Sequence, residues 1–217
     1  MRVAAYYAPA VTDPLWRAGC TWLGRDPETA ASQPSRFPAF TAEPCLYGFH
    51  ATLKPPMRLA TAYDAFIETA RSLASLLRPF ALPPLQVADL SGFLALRETH
   101  PSPELQNLAD TCVLGLDVHR APPDDAELAR RRRHGLPPAQ EAMLVRWGYP
   151  HVFETWFFHM TLTRRLTDPE RSTIRPRAEA HFAPAVAHPR QVNAITIFTQ
   201  ATPGAPFLIA ERLPLGG

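Results

Sequence analysis

The chain contains one short pattern twice, in "YGFHATLKPP" at 47–56 and in "FFHMTLTRR" at 157–165. In each copy a histidine and a threonine are separated by one apolar residue, which is typical of a β-strand with one apolar and one polar face. Each copy is followed by an amphipathic helical pattern and then by two strand-like segments. The strand pair begins 35 residues after the histidine in the first half and 33 residues after it in the second. An internal repeat of this kind predicts two similar lobes related by a pseudo-twofold axis.

Capping signals and apolar spacing predict the elements around these copies. An N-capping residue followed by proline, as at Asp13–Pro14 or Ser102–Pro103, marks a helix start. Apolar residues three and four apart predict helices within 13–24, 61–80, 102–116, 124–134, 138–147 and 168–182. Alternating or continuous apolar runs predict strands within 2–9, 85–90, 92–98, 191–200 and 206–215, and the first His/Thr strand is expected to end near 53. The polar, proline-containing segment 25–45 is interpreted as a loop.

These elements are expected to form one domain over residues 1–217. The first lobe covers roughly 40–100, and the second covers roughly 150–217 together with the N-terminal strand. A helical insertion occupies roughly 120–148. A hydrophobic content of 46% with 19% charged residues is ordinary for a globular protein, so the lobes can share a core.

Composition argues against several classes of protein. The formal net charge of +2 is too small to indicate a nucleic-acid or membrane partner. The three cysteines form no CxxC pair, and the remaining histidines show no metal-binding spacing, so neither a disulfide frame nor a metal site is expected. The N-terminal segment lacks the pattern of a signal peptide, and no apolar run approaches the ~18 residues of a membrane helix. The sequence therefore predicts a cytoplasmic protein.

The polar faces of the two strands carry similar sets of chemical groups. Residues two apart on a strand point to the same side. Each polar face thus has an imidazole, a hydroxyl and a cation: His50, Thr52 and Lys54 in the first copy, and His159, Thr161, Thr163 and Arg165 in the second. The opposite faces are apolar and are expected to be buried.

This set of groups is suited to hydrolysis of a phosphodiester. In-line attack needs a base for the nucleophile and an acid for the leaving oxygen, and histidine can serve as either near neutral pH. Threonine hydroxyls can hold the non-bridging oxygens, and a nearby Lys or Arg can offset their charge. Two opposed imidazoles would therefore catalyse the reaction without a metal or another cofactor.

The motifs His50-Ala51-Thr52-Leu53 and His159-Met160-Thr161-Leu162 resemble those of the 2H phosphoesterase superfamily, which includes bacterial RNA 2′,3′-cyclic phosphodiesterases. The segments "YGFHATLKPP", "LWRAGCTWLGRD", "GLPPAQE" and "RWGYPHVFETWFFHMTLTRRL" resemble a bacterial subfamily described as phosphonate-metabolism proteins. The resemblance implies an α+β fold with two pseudo-twofold lobes, in which antiparallel sheets line a central cleft and helices lie outside. It also implies metal-free hydrolysis of a small cyclic phosphodiester. For phosphonate-linked members this is a ribose 1,2-cyclic phosphate 5-phosphate.

Several alternatives remain open at this point. An RNA-end 2′,3′-cyclic phosphodiesterase would use the same groups, and a non-catalytic nucleotide-binding module could retain them. The run "ARRRRHG" at 129–135 is interpreted as a solvated helix end rather than an RNA-binding patch, because acidic residues precede it by one turn. Tyr6, on the first strand, is a candidate for stacking on a base or sugar, although core packing explains it as well. Oligomeric state is not indicated.

Overall fold

The computed structural model describes residues 1–133 and 135–216 and has an α+β architecture. A seven-stranded antiparallel sheet has the order β4-β5-β6-β2-β1-β8-β9, and β3 and β7 form a second, two-stranded sheet. The strands are β1 Arg2–Tyr7, β2 Ala51–Arg58, β3 Phe80–Leu82, β4 Leu85–Asp89, β5 Leu94–Glu98, β6 Met160–Thr161, β7 Arg190–Val192, β8 Ala194–Gln200 and β9 Leu208–Pro214. The helices are α1 Pro14–Leu23, α2 Pro38–Tyr47, α3 Tyr63–Leu76, α4 Pro103–Leu116, α5 Asp125–Arg132, α6 Pro138–Trp147 and α7 Asp168–Val186.

The order of elements confirms the predicted repeat and the α+β fold. Strand β2 is followed by α3 and then β3, β4 and β5, and β6 is followed by α7 and then β7, β8 and β9. Strand pairing, however, joins strands of one half of the chain to strands of the other half. The hairpin β4–β5 joins the second motif strand β6, whereas β8–β9 joins β1 and, through it, the first motif strand β2. Because β2 and β6 also pair with each other, the two motifs meet at the centre of one sheet.

Two helix starts follow the predicted capping chemistry. The Asp13 side chain accepts a hydrogen bond from the Leu15 amide at 2.8 Å, and Ser102 accepts one from the Leu105 amide at 3.2 Å. These caps satisfy amide groups that the first helical turn leaves without partners. The predicted helix 124–134 is observed as Asp125–Arg132, and His134 lies outside the described residues.

Two predicted boundaries are wrong. The segment 25–45, interpreted as a loop, contains most of α2, whose short and proline-containing sequence has too little apolar periodicity to indicate a helix. Strand β2 does not end near 53 but continues through Pro55 and Pro56 to Arg58. Prolines are tolerated there because β6 has only two residues and pairs with β2 only near the start of β2. Beyond that point, no backbone N–H donor of β2 is needed on the β6 side.

The sheet buries one face and leaves part of the other open around the motif strands. Ala51 and Leu53 of β2, together with Met160 and Leu162, lie in the main core, where α3, α4 and α7 pack against the sheet. The side chains of Tyr6 and Phe198 point the other way, into a smaller apolar cluster. In residues 1–133 and 135–216, no helix is both long enough and apolar enough to cross a bilayer.

Candidate active site

The pairing of β2 with β6 brings the two motifs side by side. Ala51 is the antiparallel partner of Met160. Continuing this register by one residue on each side sets His50 opposite Thr161 and Thr52 opposite His159, all on the face away from the core. Directly opposed Cβ atoms are about 5 Å apart, and diagonal ones about 7 to 8 Å. The two imidazoles therefore occupy diagonal positions across the β2–β6 pair, on one face of the sheet.

Both imidazoles are held by the same local hydrogen bond. Nδ1 of His50 lies 2.9 Å from the carbonyl oxygen of Gly48, and Nδ1 of His159 lies 3.1 Å from the carbonyl oxygen of Phe157. Since a carbonyl can only accept, Nδ1 carries the proton in each ring. The other nitrogen, Nε2, is then a free base in the neutral form and can accept or return a proton. Thr52 Oγ1 is 3.4 Å from Nε2 of His50, so hydroxyl and base lie side by side.

Aromatic rings fix the planes of the imidazoles. Tyr6 stacks on His50 with ring centroids 3.7 Å apart and planes 18° from parallel. Phe157 lies against His159 at 4.8 Å, and Phe93 approaches the same ring edge-on at 6.1 Å. The structure thus places the ring of Tyr6 against a histidine, where it orients the imidazole.

Burial favours the neutral form of both histidines. The pKa of His50 is lowered to about 4 by burial, an effect that the hydrogen bond to the Gly48 carbonyl opposes and the charge of His159 reinforces. Burial also lowers the pKa of His159, with smaller contributions from His151 and Arg97. Neutral imidazoles are suited to act as bases at pH 7. A bound phosphate anion would raise the pKa of the ring nearest to it, which allows that ring to act as the acid.

This pKa shift predicts a pH-dependent loss of stability. Because His50 has a lower pKa when folded (about 4) than when unfolded (about 6.5), its contribution is complete above pH 6.5 and is lost as the pH falls to 4. The separation corresponds to roughly 3 kcal/mol. Between pH 7 and pH 4, the free energy of unfolding of the wild type should therefore fall by roughly 3 kcal/mol more than that of His50→Gln. Urea titrations at each pH measure this, and parallel curves for the two proteins would contradict it.

The motif side chains open into a pocket of about 500 Å³. Of the predicted site residues, this pocket is lined by His50, Thr52, His159, Thr161, Arg165 and Tyr6. Arg165 is exposed and donates to the Ser91 carbonyl at 2.6 Å. Its neighbour Arg164 also lines the pocket, but its guanidinium is engaged with the Glu170 carboxylate at 2.9 Å. Arg165 is therefore the better placed of the two to meet a substrate anion.

Lys54 does not join this group, which corrects the prediction that it shares a face with His50 and Thr52. Thr52 pairs with Tyr6 but Lys54 pairs with Ala5, so the β1–β2 ladder contains a bulge at Leu53. The extra residue turns Lys54 to the core side of the sheet. There it is 1% exposed, and its Nζ donates to Asp117 Oδ1 at 2.6 Å.

The sequence did not indicate several residues that line the pocket. They are Arg2, Tyr47, Phe93, Arg130, Arg131 and Tyr149. The arginine run at 129–135 is only in part the solvated helix end that was predicted. Arg132 does form a surface pair with Glu141 at 2.6 Å, whereas Arg130 and Arg131 reach the pocket. Nothing in a helical charge pattern shows which side of the helix will meet another part of the chain.

The described residues, 1–133 and 135–216, contain no group of three or more His, Cys, Asp or Glu side chains that could hold a metal ion.

Residues 52–208 match a protein family described as "Protein of unknown function (DUF1045)". Two curated relatives are both named "Ribose 1,5-bisphosphate phosphokinase PhnN". The protein from Janthinobacterium sp. (strain Marseille) is 40% identical over 233 residues, which cover 100% of this chain and 51% of the relative. The protein from Laribacter hongkongensis (strain HLHK9) is 37% identical over 219 residues, covering 97% of this chain and 51% of the relative. The chain thus spans about half the length of the curated relatives it matches.

Solved structures also resemble the chain at low sequence identity. One described as a phosphoesterase aligns with a TM-score of 0.48 and 14% identity, covering 100% of this chain and 98% of the other. E. coli LigT complexed with 3′-AMP aligns with a TM-score of 0.46 and 13% identity over the same shares. The family match covers well over half of the sequence, and the chain accordingly belongs to the DUF1045 family.

Proposed function

We propose that the protein hydrolyses a small cyclic phosphodiester without a metal, with His50 and His159 as the acid–base pair. The observation that carries this proposal is the symmetry of the two imidazoles. Each is anchored through Nδ1 to the carbonyl two residues earlier, and both line one pocket beside a threonine. A histidine with a purely structural role needs no second imidazole in the same pocket. In-line phosphoryl chemistry, by contrast, needs two proton-transfer groups on opposite sides of phosphorus.

The reaction balances with the groups present. One imidazole Nε2 takes a proton from water, whose oxygen forms a new bond to phosphorus. The bond from phosphorus to a ring oxygen breaks, and the second imidazole, in its protonated form, gives that oxygen a proton. Hydroxyls of Thr52 and Thr161 hold the non-bridging oxygens, and Arg165 offsets their charge. Each turnover leaves the two histidines with their protonation states exchanged, and exchange with water restores them.

The substrate we propose is a ribose 1,2-cyclic phosphate from phosphonate breakdown, carrying a 5-phosphate. Opening its ring at the bond from phosphorus to O2 yields ribose 1,5-bisphosphate, the compound in the name of the curated relatives. This chain has no GxxxxGK[ST] phosphate-binding loop, and Lys54 is its only lysine, preceded by leucine. The kinase activity named for those longer proteins therefore has no evident basis in the half that this chain matches. A hydrolase that produces ribose 1,5-bisphosphate would supply the substrate of the kinase named in those relatives.

Turnover should occur without added metal and should be unaffected by EDTA. Because imidazoles supply both proton transfers, chelation removes nothing that the proposed reaction needs. The test is a panel of cyclic phosphodiesters followed by phosphorus NMR with and without EDTA, including ribose 1,2-cyclic phosphate 5-phosphate and a nucleoside 2′,3′-cyclic phosphate. Loss of activity in EDTA would exclude the mechanism.

Adding an RNA oligonucleotide that ends in a 2′,3′-cyclic phosphate to this panel separates the alternatives. Faster turnover of RNA ends, with KM rising steeply with salt, would assign the protein to RNA processing instead. Tight binding of a cyclic phosphate without any product would identify a binding module.

A further inference from the structure

The end of the pocket nearest the helical insertion is unusually rich in cationic and phenolic groups. The pocket as a whole is lined by five arginines and a single glutamate. Hydrolysis of one cyclic diester, with a single negative charge, does not require so many cations. Arg164 is paired with Glu170, and Arg165 lies next to the second motif, which leaves Arg2, Arg130 and Arg131 unexplained by the proposed chemistry.

Arg131 is the best positioned of these three. Its guanidinium carbon lies 4.5 Å from the centroid of the Tyr149 ring, and one terminal nitrogen is 3.3 Å from Glu127. Its Nε is buried and has no hydrogen-bond partner among residues 1–133 and 135–216. This unpaired Nε–H group can donate a hydrogen bond to a further acceptor. Such a bond would remove the free-energy cost of leaving a buried donor unsatisfied.

Three tyrosines line the same pocket as Arg131. Burial raises the pKa of Tyr6, the nearby Tyr47 and Tyr149 raise it further, and Arg2 and Arg131 lower it. In the described part of the chain, the hydroxyls of these three tyrosines make no hydrogen bond to protein groups within the usual limits. Arg2 is held in place by Gln200, to which its Nε donates at 2.7 Å, and by the ring of Phe207. Phenol and guanidinium groups therefore line one pocket together.

We infer that Arg131, together with Arg2, Tyr6, Tyr47 and Tyr149, forms a second anion site that binds a terminal phosphomonoester of the substrate. This inference rests on the proposed function, and it assigns the 5-phosphate to residues that the catalytic motifs do not include. Tyr6 links the two sites, because its ring stacks on His50 and it lines the pocket together with Tyr47 and Tyr149.

A base-binding role for the same tyrosines is less consistent with the geometry. Tyr149 already has the Arg131 guanidinium on its face, Tyr6 has His50 at 3.7 Å, and Tyr47 is stacked with Phe207 at 5.4 Å and 17°. A nucleobase needs an open ring face for stacking. Hydroxyl groups at the ring edges remain available, and they suit phosphate oxygens.

The test compares ribose 1,2-cyclic phosphate with and without the 5-phosphate. In Arg131→Gln we expect kcat/KM for the 5-phosphorylated substrate to fall about 10- to 100-fold, as for loss of a charge-assisted hydrogen bond, and kcat/KM for the other substrate to stay within about twofold. Tyr149→Phe, which keeps the cation–π contact and removes only the hydroxyl, should show a smaller loss with the same selectivity. The matched control is Arg133→Gln, which makes the same change at an exposed position of the same helix end outside the pocket lining.

Equal losses for both substrates in Arg131→Gln, or no loss for either, would overturn the second anion site. If the wild type hydrolyses neither compound, the proposed function fails, and the site is then judged by calorimetric binding of ribose 5-phosphate. Binding that is lost in Arg131→Gln and kept in Arg133→Gln supports the site. Absence of binding to the wild type, or equal binding by all three proteins, overturns it.

Discussion

Alanine at either His50 or His159 is expected to lower kcat for the cyclic phosphodiester by about 100- to 10,000-fold. In the proposed reaction each imidazole carries out one of two obligatory proton transfers, and the described pocket lining contains no third imidazole that could replace it. The double variant should be little slower than either single one, because groups that act as a unit are not additive. Phosphorus NMR or a coupled phosphate assay measures the rates.

A matched control separates lost chemistry from lost structure. His100→Ala changes an exposed histidine outside the pocket lining and should retain the wild-type rate. The two active-site variants should keep a cooperative unfolding transition, because each ring lies at the pocket rather than in the core. A single variant at His50 or His159 with near wild-type kcat would show that the two-histidine mechanism is wrong.

Asp117→Ala is expected to lower the free energy of unfolding by about 3 to 5 kcal/mol. Lys54 is 1% exposed, and its ammonium group has two hydrogen-bond acceptors, the Asp117 carboxylate at 2.6 Å and the Val113 carbonyl at 3.1 Å. Removing the carboxylate leaves a buried charge with one neutral acceptor. Burial already lowers the pKa of Lys54, so part of the penalty would appear as loss of its proton. Urea denaturation measures the change.

The companion variant Lys54→Met should cost less. It removes the buried charge and fills similar volume, and Asp117 retains Arg120, whose Nε lies 2.7 Å from its Oδ1. It should also leave kcat unchanged, because the bulge at Leu53 turns Lys54 away from the pocket. A fall in kcat of more than about tenfold would return Lys54 to the substrate-binding set that its sequence position suggests.

Features that depend on residues one or two positions apart were predicted correctly. The threonines two residues after each histidine share its face because strand side chains alternate, and helix starts at Asp13 and Ser102 follow from local capping. Prediction failed where local signals were weak or misleading. Helix α2 lacks a clear apolar period, and the extension of β2 through Pro55 and Pro56 depends on how little of β6 is paired beside it.

By itself, the sequence determined that two His-x-Thr segments exist in similar contexts and which face of each would be polar. Tertiary structure alone decided that Ala51 pairs with Met160, that Lys54 turns inward at a bulge, and that Arg131 reaches the pocket from helix α5. The physical reason is that side-chain period and capping are properties of a few consecutive residues. Strand register and helix docking depend on contacts between segments tens of residues apart, which a local pattern does not encode.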